Sequence, residues 1–257
     1  MNILFFAKPK KHTLECLKFL WEQNETILGV VICYRMRFET TDFYCFCKEK
    51  NIRIYDSDEI YTDIKELENK LDVIFVNTYP HLIKSELINV ASKGAYNFHA
   101  APLPEYRGVF GFNFAIYNME TQYGVTAHRL SEKFDEGDIV EVDRFNIDSA
   151  SITVQELVSL AENHLLDLFK KTYFRIRKGE KIICQKQCDG KYYSRKDFEK
   201  LKEININDPE DIILRKIRAF WYPPYEGAYI SLGGKKYYLN TEEMLRQLTK
   251  GAKIYER

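Results

Sequence analysis

Short apolar runs alternate with segments of helix length through the first hundred residues of the chain. The runs are rich in β-branched and aromatic side chains, and they predict five strands: residues 2–7, 27–33, 52–55, 71–76 and 95–99. Periodic segments between them predict helices at residues 12–21, at residues 41–50 and from about residue 82. Strands that alternate with helices are typical of an α/β fold, here a Rossmann-like, mostly parallel sheet covered by helices.

The rest of the chain predicts two more strands and a long helix, followed by a segment of different composition. Residues 125–130 and 139–147 are the strands, and Thr153 with Glu156 forms a capping-box pattern that opens an amphipathic helix closed by Gly179. Beyond it the chain is rich in tyrosine. There Asp208-Pro209 predicts the start of a short helix, with Asp208 as its N-cap and Pro209 as its first residue. Gly233-Gly234 predicts a β-hairpin of residues 228–232 and 235–239. We therefore predict a large domain over residues 1–179 and a small C-terminal α+β domain over residues 180–257.

Composition excludes several classes of function. Lys plus Arg equals Asp plus Glu at 38 each, so the balanced charge predicts neither a nucleic-acid nor a membrane partner. The first residues have no basic leader or cleavage site, which predicts a cytoplasmic protein. The six cysteines lack the spacing of a zinc site, and we expect neither a metal nor disulfides. Lys8-Pro-Lys-Lys-His12 follows the first strand in place of a glycine-rich loop, so the fingerprints for NAD and ATP are absent.

Candidate chemistry lies at the end of the fifth predicted strand. Asn97 and His99 are two residues apart, and the period of a strand places both on one face. His99 also falls at the carboxyl end of the strand, where open α/β sheets bind ligands. Asp135 precedes the strand at residues 139–147 and can reach His99 only through the fold. Together these residues supply what acyl transfer to an amine needs: an oxyanion donor, a proton acceptor and a carboxylate that orients it.

The order of these residues resembles a known family. Asn97-x-His99, Leu103-Pro-x-x-Arg-Gly108, Gly124-Val-Thr126 and Asp135-x-Gly-Asp138 follow the pattern of the N10-formyltetrahydrofolate-dependent formyltransferases. The resemblance implies an enzyme in which Asn97, His99 and Asp135 are catalytic, with the catalytic domain at residues 1–179. It also implies a folate pocket, for which the expected residues are Val76, Asn77, Thr78, Tyr79, Gly94, Gly137 and Asp138. Ala101-Pro102 stands where the family often has Ser-Leu, which puts the local backbone contacts of that loop in question.

Among the family, the nucleotide-sugar N-formyltransferases are most similar to this chain. Methionyl-tRNA formyltransferases carry a larger C-terminal domain, and glycinamide ribonucleotide formyltransferases carry a glycine-rich loop after the first strand that is missing here. The stretch from Arg215 to Ala228 and the stretch from Gln187 to Ser194 resemble the sugar enzymes. The resemblance implies formyl transfer to a nucleotide-linked amino sugar, with a dTDP-linked amino-dideoxyhexose of lipopolysaccharide (O-antigen) biosynthesis as the expected acceptor. A homodimer is implied as well.

Six residues are candidates for contact with the sugar nucleotide. Tyr106 and Arg107 lie on the loop that leaves the catalytic strand, and His128 follows the Gly-Val-Thr motif. Trp221, Tyr222 and Tyr225 form an aromatic cluster that can stack on a thymine or uracil ring. For Trp221 and Tyr222, filling the core of the small domain is the alternative, and for His128 it is a packed structural histidine.

Three other functions remain open at this stage. They are a methionyl-tRNA formyltransferase, a non-catalytic subunit that binds folate or a nucleotide sugar on the same fold, and a hydrolase that only deformylates the folate. The set of Asn97, His99 and Asp135 argues against the binding subunit, since binding alone does not need all three residues.

Overall fold

The computed structural model describes residues 1–33 and 39–248 of the chain. Its strands are β1 (Asn2–Ala7), β2 (Thr26–Ile32), β3 (Ile54–Asp56), β4 (Val73–Asn77), β5 (Ala95–His99), β6 (Arg107–Gly108), β7 (Gln122–Arg129), β8 (Ile139–Asn146), β9 (Tyr192–Tyr193), β10 (Tyr229–Leu232) and β11 (Lys235–Tyr238). Its α-helices are α1 (Lys11–Glu22), α2 (Asp42–Glu49), α3 (Ile64–Leu67), α4 (Ser85–Ile88), α5 (Gly111–Tyr117), α6 (Val154–Arg177), α7 (Arg195–Lys202), α8 (Glu210–Phe220) and α9 (Glu242–Leu248).

A seven-stranded sheet organises the chain, in the order β3-β2-β1-β4-β5-β7-β8. The first five strands pair in parallel, and β5 pairs with β7 in the antiparallel direction. This confirms the predicted mostly parallel α/β sheet. The predicted helix from about residue 82 is the single turn α4, which begins only at Ser85.

Side chains of the central strands alternate between two buried faces. Leu4 and Phe6 of β1 belong to one apolar cluster on one face of the sheet. Phe5 points to the opposite face, where its ring lies 6.2 Å from that of Phe169 in α6. Phe169 also packs edge-on against Phe98 of β5, with ring centroids 4.9 Å apart. Burial on both faces explains why these strands read as continuous apolar runs rather than alternating ones.

The predicted boundaries of the long helix are confirmed. The Thr153 backbone N–H donates to Glu156 Oε2 at 2.8 Å, and the Glu156 N–H donates back to Thr153 Oγ1 at 3.3 Å. At the other end Gly179 adopts a φ of 71°, the left-handed conformation that suits a glycine after a helix. The hairpin prediction is also confirmed, with Gly233 and Gly234 both at positive φ between β10 and β11.

The predicted N-cap at Asp208 is wrong. Helix α8 begins at Glu210, and Pro209 occupies the cap position without a side-chain bond. Asp208 is used elsewhere, because its Oδ2 accepts a hydrogen bond from Lys216 Nζ at 3.1 Å. The ammonium group of the buried Lys216 is a stronger partner for the carboxylate than a helix N–H.

The chain divides into two compact units. The first comprises Met1–Arg107, Gly124–Arg144 and Ala161–Tyr192, and it contains most of the sheet. The second comprises Gly108–Tyr123, Phe145–Leu160 and Tyr193–Arg257, of which residues 249–257 lie outside the described part. The predicted domain boundary after residue 179 stays a prediction, and the last nine residues of the predicted C-terminal domain fall outside the described residues.

Candidate active site

The carboxyl end of β5 carries Asn97 and His99 on one face of the sheet, both half-buried. The carbonyl oxygen of Tyr106 lies 3.0 Å from His99 Nε2. Since a carbonyl can only accept, Nε2 carries the proton in neutral His99, and Nδ1 is left as the basic nitrogen. The exit loop after β5 thus selects the tautomer of the histidine.

Asp135 meets that basic nitrogen from a loop more than thirty residues further along the chain. Its Oδ1 lies 3.5 Å from His99 Nδ1, and the side chains of Asp135 and His99 are 10% and 15% exposed. At this distance a protonated His99 has a carboxylate partner. Two acceptors, Tyr106 O and Asp135 Oδ1, therefore stabilise the imidazolium that would form during proton transfer.

His128 holds Asn97 from the neighbouring strand. The two residues are directly opposite in the β5–β7 register, and Asn97 Nδ2 lies 2.9 Å from His128 Nε2. His128 Nδ1 lies 2.8 Å from the carbonyl oxygen of Arg129, so Nδ1 donates and Nε2 accepts from the amide. One N–H of Asn97 makes this bond, and the second N–H can donate to a developing oxyanion.

Burial keeps His128 neutral. Its removal from water lowers its pKa to about 4, against the opposing effect of Asp135, whose Oδ1 lies 3.7 Å from Nε2. A charged His128 would have no lone pair left for the Asn97 amide. The neutral state is therefore a condition for the orientation of Asn97.

The His128 environment predicts a specific loss of stability in acid. The folded-state pKa is depressed, so the unfolded chain binds more protons between about pH 6.5 and pH 4, and the free energy of unfolding falls as pH drops through that window. Between pH 7 and pH 5 this amounts to about 2 kcal/mol for this residue. Urea unfolding of wild type and His128→Gln at the two pH values measures it. We expect the acid-induced loss to be smaller in His128→Gln by about that amount, and equal losses in both proteins would contradict the assignment.

The Gly-Val-Thr motif braces the exit loop of β5. Thr126 is fully buried, and its Oγ1 donates to the carbonyl oxygen of Ala101 at 2.8 Å and accepts from the Leu103 N–H at 3.0 Å. The loop that departs from the family at Ala101-Pro102 is therefore anchored by two hydrogen bonds on either side of Pro102. Gly124 lets β7 approach β8 closely, since a Cβ there would lie 2.8 Å from the Asp143 carbonyl oxygen.

A cleft opens beside the catalytic candidates. Asn97, His128 and Asp135 line part of it, and the remaining lining residues are Val76, Tyr79, His81, Leu82, Ile83, Leu130, Ser131, Lys133 and Phe134. Apolar and aromatic groups thus adjoin the polar set, as a flat heteroaromatic ligand requires.

The residues expected around a folate have different surroundings. Val76 and Tyr79 line the cleft. The Asn77 side chain is fully buried and lies between His12 Nε2, at 3.2 Å, and Cys16 Sγ, at 3.6 Å. Thr78 has a φ of 55°, and its buried Oγ1 has no hydrogen-bond partner among the described residues.

The three other expected folate residues close or support loops. A Cβ on Gly94 would lie 2.0 Å from Arg129 Nη1, and a Cβ on Gly137 would lie 1.8 Å from the Arg129 carbonyl oxygen. The backbone contact excludes a side chain at Gly137, and Gly94 has a φ of 95°, a conformation that favours glycine. The Asp138 carbonyl accepts from the Arg129 N–H at 2.9 Å and so closes the loop that carries Asp135.

Candidates for contact with the second substrate are distributed over both units. In the first unit, Tyr106 is buried, and Arg107 is bonded to Gln187 and to the Cys188 carbonyl oxygen. In the second unit, Trp221 is buried, and the rings of Tyr222 and Tyr225 pack edge-on at 5.5 Å with Tyr225 mostly exposed. The substrate role of each stays a prediction.

Three contacts at the site escape sequence reasoning. They are the Tyr106 carbonyl on His99, the bond from Asn97 to His128, and two bonds from Gln187 to the Asp135 loop. The sequence contained one indication that Gln187 is important, because the stretch that begins there resembles the sugar enzymes. The other two depend on strand register and backbone path, which residue types do not encode locally.

Two features are absent from residues 1–33 and 39–248. This part of the chain has no cluster of three or more His, Cys, Asp or Glu side chains arranged to hold a metal ion. It also has no helix with the length and apolarity needed to cross a bilayer.

Comparisons with known proteins agree on one family. Residues 44–167 match the family model described as formyl transferase. The chain is 29% identical over 183 residues to GDP-perosamine N-formyltransferase of Brucella melitensis, which covers 70% of this chain and 68% of that protein.

Two solved structures are similar over most of the chain. One is WlaRD, a sugar 3N-formyl transferase in the presence of dTDP and 5-N-formyl-THF, at 25% identity, with a TM-score of 0.75 and coverage of 92% of this chain and 84% of that one. The other is an N-formyltransferase from Helicobacter canadensis in complex with folinic acid and dTDP-3-aminofucose. Its identity is 22%, its TM-score is 0.71, and 92% and 86% of the two chains are covered.

Proposed function

We propose that the chain is a formyltransferase, like the proteins it resembles, and that it moves a formyl group from N10-formyltetrahydrofolate to the amine of a nucleotide-linked amino sugar. The observation that carries the proposal is that an amide donor, Asn97, and a carboxylate, Asp135, line one cleft, and that His99, a histidine of defined tautomer, lies against that carboxylate. Such a set serves attack by an amine on an acyl carbon without a Ser or Cys nucleophile.

The cleft fits a formyl-folate donor on its own features. Tyr79, Leu130 and Val76 supply apolar walls for a flat ring system, and Asn97 and Asp135 stand at the polar side where a formyl group has to lie. The buried Thr78 Oγ1, which has no partner among the described residues, lies next to these walls in the chain, and it can bond to a polar edge of the ring. The folate supplies the formyl carbon and departs as tetrahydrofolate.

The proposed chemistry assigns one task to each residue. The sugar amine attacks the formyl carbon, and a C–N bond forms. The formyl oxygen becomes negatively charged and accepts a hydrogen bond from the second N–H of Asn97. One such donor is typically worth about 100- to 1,000-fold in rate. His128 contributes because it orients the Asn97 amide while it remains neutral and donates no hydrogen bond to the oxyanion itself.

Protons move through His99. Nδ1 takes the proton that the attacking amine releases, while the Tyr106 carbonyl holds the Nε2 proton in place. Asp135 stabilises the resulting imidazolium, which then returns the proton to the folate nitrogen as its bond to the formyl carbon breaks. The products are tetrahydrofolate and a formamido sugar, and atoms and charge balance without a metal or an oxidant.

The identity of the acceptor is a finer part of the proposal. The Helicobacter canadensis protein was solved with dTDP-3-aminofucose, and the Brucella melitensis relative is named for GDP-perosamine. We propose a dTDP-linked amino-dideoxyhexose for surface polysaccharide, with a GDP-linked one as the main competitor. The homodimer, the cytoplasmic location and the absence of a nucleic-acid or membrane partner stay predictions.

Mass spectrometry tests the proposal directly. The protein is incubated with N10-formyltetrahydrofolate and a panel of dTDP-, UDP- and GDP-linked amino sugars, with initiator methionyl-tRNA in a parallel reaction. We expect a formyl mass gain on one class of amino sugar and none on the tRNA. A gain on the tRNA alone, or on no acceptor at all, would overturn the proposed acceptor.

A further inference from the structure

A short segment after α6 crosses the loop that carries Asp135. We call residues 185–191 the strap. At one end of it Gln185 and Ile139 exchange both backbone hydrogen bonds, each at 2.8 Å, and at the other end the Lys191 carbonyl accepts from the Arg107 N–H at 3.0 Å. Near that end a Cβ on Gly190 would lie 1.9 Å from the Pro104 carbonyl oxygen, so the strap lies tight against the exit loop of β5.

The strap places one side chain, Gln187, against the Asp135 loop. Gln187 Nε2 donates to the carbonyl oxygen of Asp135 at 2.8 Å and to that of Gly137 at 2.6 Å. Its Oε1 accepts from Arg107 Nε at 3.0 Å and from Arg107 Nη2 at 2.9 Å. The guanidinium has only donors, so it determines which way the amide faces, and its charge polarises the amide toward stronger donation at Nε2.

The residue that Gln187 holds is a strained one. Asp135 has a φ of 55°, in the left-handed region, and a non-glycine residue there persists only when its surroundings hold it. A change of its backbone would move the carboxylate, whose Oδ1 is already 3.5 Å from His99 Nδ1. The bond from Gln187 to the Asp135 carbonyl opposes that change.

Two adjacent residues of the exit loop of β5, Tyr106 and Arg107, help to position both His99 and Asp135. The Tyr106 carbonyl bonds to His99 Nε2, and the next residue, Arg107, clamps Gln187. Tyr106 sets the tautomer of His99, and Arg107, through Gln187, sets the position of Asp135. Disturbing Gln187 should therefore alter the pair while His99 and Asp135 remain in the protein.

We propose that Gln187, clamped by Arg107, is a positioning residue that holds the Asp135 loop in its catalytic conformation. This inference rests on the proposed function for its effect on turnover, but the effect on the loop stands apart from the identity of the acceptor. In this account Arg107 acts through Gln187, and its guanidinium is engaged in the protein.

Gln187→Glu is the informative variant, and Gln185→Glu is its matched control. Gln187→Glu keeps the shape and the pairing with Arg107, but it removes both N–H donors and places a carboxylate oxygen against two carbonyls. Gln185→Glu makes the same chemical change two residues away, on an exposed side chain whose backbone alone makes the strap contact. Both variants should fold with wild-type circular dichroism.

Hydrogen–deuterium exchange reports on the loop without any substrate. We expect the amides of residues 131–138 to exchange at least about tenfold faster in Gln187→Glu than in wild type, since two hydrogen bonds are lost, and to be unchanged in Gln185→Glu. Equal exchange in the two variants would overturn the positioning role. This result holds whether or not the proposed acceptor is the right one.

Turnover then separates positioning from general damage. We expect Gln187→Glu to lower kcat by about 10- to 100-fold with the KM of both substrates nearly unchanged, because a small misplacement acts on the chemical step. In an Asp135→Asn background the same change should have almost no further effect, since the group it positions is already gone. A full additional loss in the double variant would show that Gln187 does not act through Asp135. Absence of formyl transfer by wild type would contradict the proposed function instead.

Discussion

Replacing His99 by alanine is expected to lower kcat by about a thousandfold or more, with little change in the KM for the folate. The reason is that Nδ1 of His99 is the basic nitrogen left free by the Tyr106 carbonyl, and it faces Asp135, where its charged form is stabilised. Quantifying the formylated product by mass spectrometry gives kcat, and circular dichroism checks that the variant is folded.

His164→Ala is the control for that experiment. His164 is a half-exposed histidine of α6, and its Nδ1 lies 2.8 Å from Asp143, so it resembles His99 in having a carboxylate partner. Its partner Asp143 is not among the residues that line the cleft, whereas Asp135, the partner of His99, is one of them. We expect His164→Ala to keep wild-type kcat, and a His99→Ala variant that stays within tenfold of wild type would remove His99 from the mechanism.

Asn97→Asp is expected to lower kcat by about 100- to 1,000-fold, the usual cost of losing one oxyanion donor. The substitution keeps the volume of the side chain but leaves no N–H, and it places negative charge where the formyl oxygen becomes negative. It also leaves neutral His128 Nε2 without its donor. Steady-state kinetics on folded protein gives the result.

Asn146→Asp makes the same chemical change at an exposed position of β8 and should leave kcat unaltered. The KM for the sugar should change little in Asn97→Asp, because the interaction forms as the charge develops. A variant in which KM rises while kcat stays near wild type would assign Asn97 to substrate binding in place of oxyanion stabilisation.

Local patterning was enough to predict the sheet and one half of the site. The apolar runs at residues 2–7 and 71–76 lie in β1 and β4, and the period of two correctly places Asn97 and His99 on one face of β5. The boundaries were less accurate where tertiary contacts compete. Asp208 bonds to Lys216 in place of capping α8, and the helix predicted from residue 82 shrinks to one turn.

The other half of the site depends on distant parts of the chain. Asn97 meets His128 only because β5 and β7 pair in one antiparallel register, and Gln187 reaches the Asp135 loop from 52 residues away. No local pattern encodes either contact. The resemblance to the formyltransferases rests on several ordered motifs that match at once, whereas the contacts of Trp221 and Tyr222 with a nucleotide stay a prediction.

The most direct test of direct formyl transfer follows the formyl carbon itself. The folate is labelled with ¹³C in its formyl group, and wild type, His99→Ala and Asp135→Asn are incubated with it and the acceptor found by the mass-spectrometric panel. The account predicts that wild type places one labelled carbon on the sugar amine for each tetrahydrofolate formed, and that both variants lose this transfer. Labelled formate accumulating in place of the formamido sugar would contradict it and identify a hydrolase.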